Sequence, residues 1–145
     1  MTPKKRAEKS AAALWSGDRA TEWFGMRLDE VDEGRAVLSM TVQPHHANGH
    51  GTCHGGVIFS LADSAFAFAC NSRNQSTVAQ QNQITYLAPA QVGDVLTATA
   101  KETSRSGRSG ITDVSVMAQN GVNVAVFRGL SRTIKGTLFD EEETG

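Results

Sequence analysis

The sequence predicts an α+β domain in which one apolar helix is enclosed by an antiparallel sheet. Three observations carry that prediction. Residues 57–70, Val-Ile-Phe-Ser-Leu-Ala-Asp-Ser-Ala-Phe-Ala-Phe-Ala-Cys, are apolar nearly all round, the mark of a helix covered by protein on most sides. Segments rich in β-branched residues, alternating with polar ones, flank it on both sides and read as strands. The chain has 145 residues, and a single core of that size folds without staples because cores divide only beyond ~250 residues.

Taken in order, residues 3–24 read as helical and Gly25 is placed to stop them. Met26 to Val42 reads as two strands split by Asp32-Glu-Gly34. From Pro44 to Gly56 the periodicity disappears, and this stretch holds four glycines and every histidine of the chain. The apolar helix follows, ending at Asn71-Ser-Arg73, where a cation meets the negative end of the helix. Four further strands read as a meander: Thr77 to Leu87, Val95 to Thr103, Ile111 to Gln119 and Asn123 to Thr133. Their breaks are Pro89 to Asp94, Ser104 to Gly110 and Asn120-Gly121, the last a strong hairpin signal.

Composition excludes several functions. Fourteen Lys+Arg stand against fifteen Asp+Glu, so nothing drives the chain toward nucleic acid or an anionic membrane. Cys53 and Cys70 are too few for a disulfide scaffold and read as reduced thiols. The apolar run near the start, Ala11 to Trp15, is cut off by Ser16-Gly17-Asp18, short of the ~7–15 residues of a secretory core or the ~20 of a spanning helix. A cytoplasmic protein is expected. The organisation expected is a helical or tail segment over 1–20, a domain over 21–136 and an acidic tail over 137–145, both ends solvated.

Asp63 is the most informative residue. It is the one charged side chain between Gly55 and Asn71, where an unpaired carboxylate costs several kcal/mol or takes up a proton. Such an Asp is either structural, bonded to backbone or Ser side chains, or a general base or nucleophile with a raised pKa. Gly55 and Gly56, at the helix start, leave amide donors uncovered. They make a site for a developing oxyanion, or simply permit close packing. Gly55 and Asp63 are eight residues apart, ~12 Å of axial rise, too far for both to reach one carbonyl. A shared substrate therefore requires Asp63 from a second copy of the chain, across a two-fold interface.

Asn48-Gly-His50…Cys53-His54-Gly55-Gly56, followed by Phe59-Ser-Leu-Ala-Asp63-Ser-Ala-Phe-Ala-Phe-Ala-Cys70-Asn71-Ser, resembles the hotdog-fold acyl-CoA thioesterases, and most closely the phenylacetic acid degradation group. Ile84-Thr-Tyr-Leu-Ala-Pro89, Gly93-Asp94-Val-Leu-Thr-Ala-Thr-Ala100 and Val126-Phe-Arg-Gly129 are similar to that family as well, so the likeness covers residues 20–134. The resemblance implies a hotdog fold, a long helix in a curled antiparallel sheet, with dimers paired into tetramers. It implies hydrolysis of an acyl-CoA thioester, phenylacetyl-CoA or a ring-hydroxylated relative, without metal or cofactor. By position, Asp63 would attack as base or nucleophile and Gly55 of the other subunit would polarise the carbonyl. Asn48 would hold water or the reacting carboxylate, and His54 would support the loop or the carbonyl end. Gln81 falls near where the family often places a Ser or Thr that orients water, and this chain departs from that pattern.

Other constellations are weaker. His45, His46, His50, Cys53 and His54 match no zinc-binding spacing, and Cys53 beside His54 has the wrong geometry for a nucleophile pair. Ser104-Arg105-Ser-Gly107-Arg108-Ser109-Gly110 reads either as a soluble turn or as a cradle for coenzyme A phosphates; the family resemblance favours the second for Arg108, Ser109 and Gly110. Phe59, Phe66 and Phe68 line an acyl pocket or are plain core. Two rival functions are a hydratase or dehydratase on the same fold and a non-catalytic acyl-CoA-binding module. The first would want a histidine paired with the carboxylate, and none follows Asp63.

Overall fold

The computed structural model describes residues 1–141, so the last four positions of the acidic tail lie outside the described residues. Helix α1 (Pro3–Gly17) opens on Thr2, whose hydroxyl accepts from the Lys5 amide at 3.1 Å, with Pro3 in its first turn. The single helix expected over 3–24 is two. Asp18 adopts an extended conformation and its carboxylate accepts from the Thr21 amide at 3.0 Å, capping a separate α2 (Arg19–Phe24). Gly25, at φ 76°, ends α2 as predicted.

The N-terminal run, expected to be solvated, is docked, and of the acidic end Glu141 is held as well. Ala7 and Ala11 of α1 are buried, the Lys4 ammonium donates to the Val31 carbonyl, and Arg6 pairs with Glu141 at 3.0 Å. Trp15 lies against Phe68 with ring centroids 5.9 Å apart. Alanines at positions 7 and 11 let α1 sit close to the sheet edge, which a polar tail could not do.

Six strands form one antiparallel sheet: β1 (Arg27–Asp32), β2 (Arg35–Thr41), β3 (Thr77–Tyr86), β4 (Val95–Ser106), β5 (Ser109–Ala118) and β6 (Asn123–Thr133). Their order is β1-β2-β4-β5-β6-β3. Only β4, β5 and β6 form the predicted meander. β3 crosses to the far edge and pairs with β6, from Thr77 opposite Thr133 to Tyr86 opposite Ala125. β4 takes its place beside β2. The stretch 104–110, expected as a break, is mostly strand. Arg105 pairs with Gly110 and Ser106 with Ser109, leaving a two-residue turn in which Gly107 has φ 60°.

Helix α3 (Gly55–Cys70) lies against β2, β4 and β5, begun two residues earlier than the apolar run. Ile58, Leu61, Ala62, Ala65, Phe66, Phe68 and Ala69 are all buried, as an all-round apolar pattern requires. Each large side chain so buried contributes roughly 1.5–3 kcal/mol. Gly129 of β6 is bare because the Phe66 ring occupies the space; a Cβ there would stand 2.7 Å from it. Phe66 and Phe68 are thus core. Phe59 is half-buried, edge-on to Phe127.

The edge strand β3 is tied to α3 at three points. Asn71, just past the helix, donates to the Thr77 carbonyl at 3.0 Å and accepts from its amide at 2.9 Å. Asn82 meets Asp63, and Tyr86 meets Gly55. Eight helical residues and four or five strand residues span nearly the same length, ~12 Å against ~13–17 Å. The bulge between Ala79 and Gln81 lies ahead of this stretch, between it and the Asn71–Thr77 tie. This register sets the site.

Candidate active site

His54 precedes α3, and its Nδ1 accepts from the Gly56 amide at 2.8 Å. The ring therefore caps the helix, leaving Nε2 as its protonated nitrogen. The loop behind it is fixed by the His54 amide donating to the His46 carbonyl at 2.8 Å. Since His54 serves Gly56, the Gly55 amide remains a donor without an acceptor among the described residues. The Gly55 carbonyl accepts from the Tyr86 hydroxyl at 2.7 Å. That bond anchors the first residue of the helix to β3.

Asn48 folds its own loop: its Oδ1 accepts from the amides of His50 at 2.9 Å and Thr52 at 3.1 Å. The Thr52 hydroxyl adds a third bond to that oxygen at 3.3 Å, and the Nδ2 group has no acceptor among the described residues. Asn48 and Gly55 line one cleft of about 350 Å³ with Cys53, Ile58, Tyr86 and Leu87. Donors from a loop and a helix start thus meet at an apolar-walled opening, the arrangement that an anionic oxygen favours. None of the described residues lining this cleft carries a carboxylate. Larger clefts include one of about 630 Å³ on the outer sheet face and one of about 640 Å³ between α1 and β1. The outer one is walled by the Asp113–Arg128 ion pair, 2.6 Å.

Asp63 is half-buried two turns farther along α3, and no backbone or Ser group bonds it among the described residues. Its one partner is Asn82, whose Nδ2 donates to Oδ1 at 2.8 Å. Burial pushes the carboxyl above the usual carboxylate range, and the Asn82 bond pulls part of that back. The second carboxylate oxygen has no partner among the described residues. A carboxylate in this state is a stronger base than a fully solvated one, with one oxygen free to act among the described residues.

The structure brings Asn48, His54 and Gly55 together and holds Asp63 apart, as the helical rise requires. It does not bring Gln81 to Asp63. Gln81 pairs with Leu130 and Asn82 with Gly129; Leu130 faces outward, whereas Gly129 faces the Phe66 ring of α3. Asn82 and Tyr86 are the residues that the sequence reading missed. Their signal was parity: both share the inward row with Ile84, which packs on the core.

Arg108 and Ser109 are exposed at the tip of the β4–β5 hairpin. Arg108 lines a cleft of about 510 Å³ with Arg105, Gly107, Gln75, Thr133 and Lys135. Gly110 is buried on the other side, where a Cβ would stand 2.7 Å from the Ser131 hydroxyl, so its bareness makes room for Ser131. Burial pushes the Cys53 thiol up to about 11, which keeps it protonated. No three His, Cys, Asp or Glu side chains converge on a metal position among the described residues.

The family model described as the thioesterase superfamily matches residues 50–125. The chain is 42% identical over 136 residues to the acyl-coenzyme A thioesterase PaaI of Escherichia coli K12, covering 94% of this chain and 97% of that protein. The solved structure of E. coli PaaI, from the phenylacetic acid degradation operon, superposes with a TM-score of 0.92 over 94% of this chain and 99% of that one, at 41% identity. A variant of the phenylacetic acid degradation protein PaaI of Thermus thermophilus matches at 35% identity and a TM-score of 0.78, covering 81% and 100% of the two chains. A hypothetical thioesterase of Streptococcus pneumoniae, solved with coenzyme A, matches at 25% identity and a TM-score of 0.73, covering 77% and 90%. These matches carry the hotdog fold. Among the described residues, no helix is long and apolar enough to cross a membrane.

Proposed function

The chain belongs to the thioesterase superfamily, and on that premise we propose that it hydrolyses phenylacetyl-CoA, or a ring-hydroxylated relative, to the free acid and coenzyme A. It is an acyl-CoA thioesterase, a thioester hydrolase; the acyl group, the roles of the residues and the assembly are the proposed part. The observation that carries the mechanism is a Gly55 amide without an acceptor and a half-buried carboxylate with one oxygen free, both among the described residues and on the same helix.

The thioester carbonyl oxygen lies against the Gly55 amide, at the positive end of α3. Asp63 takes a proton from water as the water oxygen bonds to the carbonyl carbon. Negative charge collects on the carbonyl oxygen, where the Gly55 and Asn48 donors hold it. The tetrahedral centre collapses, the carbon–sulfur bond breaks, and the thiolate leaves with its electron pair. The proton on Asp63 then passes to the thiolate or to solvent. In the alternative route the Asp63 oxygen itself bonds to the carbon, the carbon–sulfur bond breaks with loss of the thiolate, and water then cleaves the resulting anhydride at the Asp63 carboxyl carbon. Single-turnover ¹⁸O labelling separates the two, since only the second puts label into Asp63.

Within one protomer the two half-sites are ~12 Å apart, so the working site takes Gly55 and Asn48 from one copy and Asp63 from another. Strand β3 supports this reading: it is a ten-residue edge without a charged residue or proline, an invitation to pair with a second copy. The basic cleft of Arg105, Arg108 and Lys135 offers guanidinium and ammonium groups for the phosphates of coenzyme A.

Asp63→Asn should lower kcat by at least ~10²-fold, the lower end of a general-base contribution. Equal mixing of Asp63→Asn and Gly55→Ala protomers, each inactive alone, should restore about a quarter of wild-type activity if pairs form at random across a two-fold. Half of the pairs are then mixed, and each mixed pair holds one intact site. No restoration after subunit exchange would defeat the shared site.

A further inference from the structure

We propose that Asn82 is a positioning residue for thioester hydrolysis, fixing one oxygen of Asp63 so that the other is aimed, ionised, at the reaction. The proposal rests on the reading of Asp63 as the reacting carboxylate. Asn82 is the sole residue that bonds Asp63 among the described residues, at 2.8 Å. It reaches the carboxylate from the inward row of β3, in register with Gly129, a backbone position that the Phe66 ring covers.

The amide is held by that bond alone. Its own Oδ1 is buried and accepts from nothing among the described residues. An orphaned acceptor of this kind is costly, so the strand tolerates a penalty that a leucine at this position would avoid. Turning the amide over would set Oδ1 against a carboxylate oxygen, which is repulsive while Asp63 is ionised. The bond therefore selects the charged carboxylate, and the charged carboxylate selects the amide orientation. Each holds the other.

No charged side chain offers an alternative account. Of the charged groups on the strands packed against α3, Glu102 of β4 pairs with Arg73 at 2.8 Å, Arg128 of β6 with Asp113 of β5, Arg35 of β2 with Glu30 of β1, and Arg132 of β6 is exposed. Lys101 of β4 lines the outer face of the sheet, and Arg105, near the end of β4, bonds Gln75. On β3 itself the other titratable group is Tyr86, at Gly55. On α3 it is Cys70, whose thiol stays protonated, pushed up to about 12 chiefly by burial. The Asp63 carboxyl is pushed up by burial and lowered by Asn82, with no charged group contributing.

The test is the pH profile of kcat for acyl-CoA hydrolysis by the full chain carrying Asn82→Leu, which matches the shape without a donor. The acid limb should move up by ~1 pH unit. The rate should fall near neutrality and recover at higher pH, with KM within about twofold of wild type, because on this proposal Asn82 acts only through Asp63. Asn82→Asp keeps the size and polarity should the leucine variant not fold. It should move the limb at least as far, since neighbouring carboxylates resist ionising together. A limb within ~0.3 unit of wild type in either folded variant overturns the role. Asp63→Asn in the same assay separates the two readings. If that variant is fully active, the reading of Asp63 fails; if it is inactive while the Asn82 limb stays put, only the role of Asn82 fails.

Discussion

Gly55→Ala tests the oxyanion donor at its most sensitive point, because the structure states what an added methyl would strike. A Cβ on Gly55 would lie 3.0 Å from the Tyr86 hydroxyl oxygen and 3.1 Å from the ring carbon that bears it. Ordinary contact begins at 3.4 Å, so the helix start or the tyrosine must yield by a few tenths of an ångström. Tyr86 is tied to the Gly55 carbonyl at 2.7 Å, so the two move against each other and the amide is tilted from its position. An oxyanion donor works over about 2.7–3.1 Å, and losing one costs ~10²–10³-fold in kcat. A displacement of this size consumes that whole window. Gly55→Ala should therefore lose ~10²-fold or more in kcat with the fold intact, read as thiol release from phenylacetyl-CoA beside a thermal unfolding curve. The steric cause has its own signature. In a Tyr86→Leu background the methyl meets no rigid ring, so the same glycine substitution should cost markedly less, a non-additive cycle. Full activity in Gly55→Ala would refute the assignment of the Gly55 amide, and an additive cycle would refute the route through Tyr86.

Two predictions concern stability. Gly129→Ala places a methyl 2.7–2.8 Å from three carbons of the buried Phe66 ring, and should destabilise by ~1–3 kcal/mol as overpacking does; urea unfolding measures it, and Phe66→Leu should recover most of the loss. Asp63 carries a carboxyl raised by burial, so the folded state binds its proton more tightly than the unfolded chain does. Its contribution is fully present below the unfolded carboxylate value and is lost as pH rises through the raised one. Asp63→Asn should accordingly unfold at a higher temperature than wild type near pH 7, with the gap closing in acid; a lower midpoint for the variant at pH 7 would contradict the burial.

The central helix, the loop before it and the outer elements were legible because each rests on local chemistry. An apolar run broken by one carboxylate, Gly-Gly at a helix start and Asn-Gly between strands each determine their own backbone. What the sequence withheld was non-local. Nothing within 77–86 says that β3 pairs with β6, not with β4; that choice depends on where α3 delivers the chain after Asn71. The identity of the Asp63 partner follows from the same placement. The bulge between Ala79 and Gln81 shifts the face that each later residue presents. A residue count along the strand from Thr77 therefore misassigns its polar run and lands on Gln81 where Asn82 acts. Counting back from Ile84, whose burial is evident from its neighbours, gives Asn82 and Tyr86 together. Those two side chains tie Asp63 and Gly55, ~12 Å apart along one helix, to the same strand. Both reacting groups are thus set by a strand whose outer edge is still open. If that edge seals against a second copy, assembly and alignment of the site become one event: the contact that brings Asp63 to the partner's Gly55 also immobilises the strand that aims it.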